Sequence, residues 1–153
     1  MGCLGFIAFQ DFKERKVLWF LFPFAMVLFG LVHFLQIDGL NLFSHYILIN
    51  SVLITSIIGI LFIYTKFILK KKFLDHSLGL GDILFFYAFG LGFPSVTFII
   101  LFASAVIFSL LVFLLLNKRL GLDTVPLAGL MGLFLVFVVL VNLISKSPSL
   151  YAY

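Results

Sequence analysis

The chain has 153 residues, 64% of them hydrophobic and only 10% charged, with a formal net charge of +4. So apolar a chain cannot present an ordinary protein surface to water, and lipid must serve as its solvent. Within residues 1–153 there is room for a single membrane-embedded domain and none for a soluble domain, a nucleotide-binding unit or a receptor ectodomain.

Hydrophobic runs between charges and turn signals predict six segments, roughly 1–11, 17–36, 44–66, 82–93, 94–116 and 125–144. The fold class that follows is all-α: a polytopic membrane helix bundle whose first and fourth members are short. The first segment has Gly2 but carries Phe6 where a myristoylation signal needs Ser or Thr, and it lacks the basic region of a signal peptide. Cys3 is the single cysteine, so no intramolecular disulfide and no cysteine-based zinc set can form. About ten residues rise only ~15 Å as a helix, half of the ~30 Å hydrocarbon core, so this segment is expected to sit shallow or to be completed upstream.

Segment one ends at Asp11 and is followed by Lys13, Arg15 and Lys16. Segment two carries His33 near its far end, and a short loop, Ile37-Asp38-Gly39-Leu40-Asn41, leads to segment three. There, His45 stands at the start, and Asn50, Ser51, Thr55 and Ser56 are suited to hydrogen bonds between helices. Segment four follows Gly79-Leu80-Gly81-Asp82 and is interrupted at Gly90-Leu91-Gly92-Phe93-Pro94, where proline cannot continue the helical ladder. Irregular backbone survives at membrane depth only where protein or a wet cavity covers it, which predicts that this stretch lies inside the bundle. Segment five leads to Lys118 and Arg119, and segment six opens at Val125-Pro126, with proline suited to a first helical turn.

The basic residues after segments one, three and five, including Lys66, Lys70, Lys71 and Lys72, share one side if every segment crosses; only Lys146 falls opposite. By the positive-inside rule that side is the cytoplasm, which predicts a multi-pass protein of the plasma (inner) membrane. The same lysines suit contact with anionic membrane lipids. No basic amphipathic helix or aromatic-interleaved patch points to a nucleic-acid partner.

Two acids share a depth in this topology: Asp11 at the cytoplasmic end of segment one and Asp82 at the cytoplasmic start of segment four. Carboxyls at the boundary of so apolar a chain are costly and mark function. If the two segments are neighbours, the carboxyls meet across one water and hold one proton between them, because both cannot ionise cheaply at that range. The ionised member takes a proton from a water attacking a carbonyl carbon. The protonated member donates to the carbonyl oxygen and later to the leaving amine, with no metal and no cofactor required. Gly79 and Gly81 are expected to allow positive φ and close approach of an extended chain, and Asp82 to cap a helix beginning at Ile83. Asp38, Asp75 and Asp123 fall in loops, His76 lies near the glycines, and the histidines make no metal set with the acids.

The run Ala8-Phe9-Gln10-Asp11-Phe12-Lys13-Glu14-Arg15-Lys16-Val17, followed by Gly79-Leu80-Gly81-Asp82, resembles the two catalytic blocks of type IV prepilin peptidases and archaeal preflagellin peptidases. Val125-Pro126-Leu127-Ala128-Gly129 is similar to the proline-containing start of that family's last helix, and the resemblance covers nearly the whole chain. It implies a GxGD-type membrane aspartyl endopeptidase that removes the basic leader of pilin-like precursor proteins at the cytoplasmic face. Asp11 and Asp82 would be the catalytic pair, with Gly79 and Gly81 as the motif that positions Asp82. Leu84 stands where many bacterial members have lysine, and their N-terminal methyltransferase domain with its cysteine cluster is absent, so N-methylation is not expected. The stretch Gly79 to Tyr87 also resembles the presenilin block, which implies cleavage within transmembrane substrates; Pro126-Leu127-Ala128 scrambles that family's Pro-Ala-Leu. A third reading is a noncatalytic bundle assisting envelope assembly, its aspartates reduced to helix caps. The sequence leaves the oligomeric state open.

Overall fold

Five helices make up the described part of the chain, which a computed structural model gives as residues 5, 20–37, 39–67, 79–120, 127–145 and 150–151. They are α1 (Leu21–Gln36), α2 (Leu40–Phe67), α3 (Leu80–Leu91), α4 (Ser95–Leu120) and α5 (Leu127–Ser145), with no strand among the described residues. Three of them are long and apolar enough to cross a membrane: α2, the stretch Ser95–Leu115 of α4, and Leu127–Ile144 of α5. The fold is therefore all-helical and of membrane type. Five of the six expected segments have a helical counterpart; the first, including Asp11, lies outside the described residues apart from Gly5.

Local chemistry explains the boundaries. Pro23 falls in the first turn of α1, where its missing N–H would have had no intrahelical partner. Gly39 takes φ 120°, a conformation open to glycine at little cost, and the chain turns there directly into α2. That helix consequently starts four residues before the expected 44, at Leu40. Pro94 and the glycines around it end α3 after 12 residues and start α4 at Ser95.

Side-chain partners fix the helix directions. On α2, Asn50 meets Gly90 and Phe93 while Thr55 meets Tyr87, so α2 runs antiparallel to α3. The ring of Phe22 in α1 lies against Gly81 and Phe29 lies against Gly92, so α1 runs parallel to α3. Returning along α3, α4 sets Phe98 and Phe102 against Phe89, and Phe102 also against Phe86. The start of α5 is bonded to Asp82. One end of the bundle therefore gathers the starts of α1, α3 and α5 and the last turn of α2, where the Lys66 ammonium lies 5.5 and 5.9 Å from the ring centres of Phe62 and Phe67.

Helix α3 touches every other described helix. Its 12 residues rise ~18 Å, whereas the 28 residues of α2 rise ~42 Å. From the Thr55–Tyr87 pairing, Asp82 stands opposite roughly residue 60 of α2, so α2 projects ~10 Å past it at one end and ~15 Å past the α3–α4 break at the other. Both ends of α3 thus lie within the length that α2 covers, and Gly90, Gly92, Phe93, Pro94 and Ser95 are buried, so the break lies inside the bundle as expected. Around α3, Phe89 is fully buried and meets Phe93, Phe98 and Phe102 with ring centres 5.7–5.8 Å apart. Such aromatic contacts matter more in a bilayer than in water, because lipid supplies little hydrophobic drive for helices to associate.

Candidate active site

The glycine-rich motif folds differently from its expected form. Gly79, with φ −74° and ψ 150°, is the extended residue before the helix, so α3 begins at Leu80 and Asp82 is its third residue rather than the cap of a helix starting at Ile83. From that position the carboxylate folds back, and Oδ2 accepts the N–H of Gly79 at 3.2 Å. This is the acid half of a capping box; the other half is missing because glycine has no side chain to answer. Asp82 also reaches across the bundle, and Oδ1 accepts the N–H of Ala128, the second residue of α5, at 3.0 Å. One half-buried carboxylate thereby joins the N-termini of two helices, where backbone dipoles favour negative charge.

Positive φ is not the reason for the motif's glycines. Gly79 is extended and Gly81 is helical, and Gly39 is the positive-φ glycine among the described residues. The reason is space. A Cβ on Gly81 would stand 3.1 and 3.3 Å from Cζ and Cε2 of Phe22, whose ring is itself buried. A Cβ on Gly79 would stand 3.3 Å from Asp82 Oδ2. Gly81 lets α1 press against the first turn of α3, and Gly79 leaves room for the carboxylate to fold back.

The structure brings together Asp82, Gly79, Gly81, Phe22 and Ala128. Asp11, His76 and Pro126 lie outside the described residues. Leu84 is partly buried and packs on the core. Sequence reasoning missed Ala128 as a partner of Asp82; the available signal was the Val125-to-Gly129 run, which marks a helix start without saying what meets it.

At the opposite end of α3, polar side chains answer the carbonyls that the break leaves unpaired. Asn50 Nδ2 donates to Gly90 O at 2.8 Å and Phe93 O at 2.9 Å, His33 Nδ1 to Leu91 O at 2.8 Å, and the Gly92 N–H closes on Phe89 O at 3.0 Å. The expected interhelical role thus holds for Asn50, and His33 is bonded between helices. Thr55 joins Tyr87 at 2.8 Å, whereas Ser56 bonds back to Val52 O of its own helix and His45 is exposed. Among the described residues no group of three His, Cys, Asp or Glu side chains has a geometry able to hold a metal.

Fold and site together define a helical membrane protein with a carboxylate set at the meeting of two helix N-termini. No protein-family model matches the chain, and neither a curated protein nor a solved structure matches it.

Proposed function

We propose that the chain is a membrane aspartyl endopeptidase that cleaves the leader of pilin-like precursors at the cytoplasmic face of the plasma membrane, with Asp11 and Asp82 as the catalytic pair. The observation that carries this reading is the setting of Asp82: a half-buried carboxylate, recessed within the bundle, held by backbone N–H groups from two helices. Such fixing holds a carboxylate in one orientation, as a general base for water requires. The first turn of α1, ten residues after Asp11, touches Gly81 beside Asp82. Ten residues of chain can reach ~33–36 Å, which is enough for Asp11 to approach Asp82 as this reading requires. A substrate's basic leader would stay at the cytoplasmic surface while its apolar helix docks against the bundle and presents the junction to the pair.

A second reading draws on the same two bonds. Backbone amides are what a structural brace would bind, and a noncatalytic bundle in which Asp82 only joins α3 to α5 would need no more. Mass spectrometry of pilin-like precursors co-expressed with wild type, Asp11→Asn and Asp82→Asn separates the two. The peptidase reading expects leader loss with wild type alone, scored against the amount of folded protein. Full cleavage by either variant removes the catalytic pair; intact precursors with folded wild type favour the brace or a presenilin-like choice of transmembrane substrates.

A further inference from the structure

Around the break between α3 and α4, hydrogen bonds account for only part of the buried polar atoms. Nε2 of His33, Oδ1 of Asn50 and Oγ of Ser95 have no protein partner, although these residues are only 0%, 1% and 9% exposed. All three belong to residues that flank the break. His33 is bonded to Leu91 O, Asn50 to Gly90 O and Phe93 O, and Ser95 is the first residue of α4 beyond Pro94.

The bonds already made determine what the remaining atoms can do. A carbonyl only accepts, so Nδ1 of His33 carries the hydrogen, and Nε2 of the neutral ring is left with a lone pair. Both amide hydrogens of Asn50 are committed to carbonyls, and its Oδ1 can only accept. The Ser95 hydroxyl can donate. Two acceptors and one donor call for a species with two hydrogens to give and a lone pair to offer.

We propose that the α3–α4 break is the binding site of an internal water that donates to His33 Nε2 and Asn50 Oδ1 and accepts from Ser95 Oγ. Internal waters characteristically make two to four bonds to buried groups that otherwise lack partners. A metal cation is a poorer match, because the only carboxylate among the described residues, Asp82, stands at the far end of α3. The rings of Phe43, Tyr46 and Tyr151 stand around His33 with centres 5.2, 6.1 and 5.9 Å from its own, and the His33 side chain is fully buried. Bound there, the water clasps α1, α2 and α4 at the point where the chain has no helix.

The test is solid-state NMR of the full chain in phosphatidylethanolamine–phosphatidylglycerol liposomes, with 15N-histidine and with His45→Gln and His76→Gln leaving His33 as the sole signal. The expected spectrum has a protonated Nδ1 and an unprotonated Nε2 with a cross-peak to water protons. Ser95→Ala should weaken or shift that cross-peak and leave the Nδ1 signal in place. A protonated Nε2, a missing water cross-peak, or a cross-peak indifferent to Ser95→Ala would each overturn the shared site.

Discussion

Replacing Asp82 by Asn keeps the side chain's shape and removes its charge. The carboxylate accepts the N–H of Gly79, the residue before its own helix, at 3.2 Å and one from α5 at 3.0 Å. An amide has a single oxygen, so one of these bonds is lost and an NH2 group is turned toward an N–H that it cannot receive. A hydrogen bond to a charged group contributes ~1.5–3 kcal/mol, and loss of charge at each helix N-terminus costs a further ~0.3–1 kcal/mol. One lost bond and two helix ends without their charge give an expected destabilisation of about 2–5 kcal/mol. Asp82→Ala, which forfeits both bonds, should cost more than Asp82→Asn. Reversible unfolding in mixed micelles, followed by circular dichroism, measures the loss. Hydrogen exchange over residues 127–129 locates it: the Ala128 amide should exchange faster in the alanine variant. If both variants match wild type to within ~0.5 kcal/mol, the carboxylate is no brace. The same measurement supplies the folded fraction needed to interpret any cleavage assay.

Two further outcomes follow from the contacts around α3. A Cβ on Gly90 would stand 2.5 Å from Cδ1 of Ile54, so Gly90→Ala should destabilise by ~1–3 kcal/mol through overpacking, set against the ~0.5–1 kcal/mol that alanine returns to a helix. Ile54→Val deletes that methyl at ~0.5–1.5 kcal/mol alone and should rescue Gly90→Ala, so a double-mutant cycle that came out additive would contradict the close approach of α2 and α3. Burial pushes the Tyr151 hydroxyl up from 10.0 to about 12, so the folded state keeps a proton that the unfolded chain gives up earlier. This contribution is fully present below pH 10.0 and is lost as pH rises toward 12; Tyr151→Phe should flatten the fall of stability over that window, and an unchanged slope would show that Tyr151 does not dock on Phe93 and His33.

What the sequence made legible is what depends on neighbours along the chain. Apolar runs mark helices α1 to α5, and Gly90 to Pro94 mark a break that needs cover, because both follow from local backbone chemistry and hydropathy. Asn50 stood out as a hydrogen-bonding residue within an apolar run. The start of α3 was misjudged because Asp82 looks like a cap in isolation, and only the extended conformation of Gly79 moves the helix start upstream. The glycines' purpose was hidden for a different reason. Whether a glycine supplies a dihedral angle or a space depends on what faces it, and Phe22 faces Gly81 from 59 positions away in the numbering. The bond from Ala128 to Asp82 is likewise invisible to any local pattern, since a main-chain N–H leaves no trace in residue type.

The shortest helix is also the one that reaches all the others, and its ends explain why. A helix of 12 residues leaves unpaired N–H groups at one end and unpaired carbonyls at the other, and where the bundle covers them protein must supply the partners. At the carbonyl end the response comes from His33 of α1 and Asn50 of α2. At the amide end it comes from Asp82 itself, which also takes hold of α5. The position of this carboxylate therefore depends on α1, α2 and α5 as well as on its own helix, which is how a side chain is held when its orientation matters. Gly79 and Ala128 each donate to one oxygen of the carboxylate. Holding a helix and moving a proton are separate uses of a carboxylate, and cleavage is the measurement that tells them apart. The stability and the cleavage of Asp82→Asn have to be measured on the same preparation, because a deficit in cleavage larger than the deficit in folded protein is the signature that only chemistry would leave.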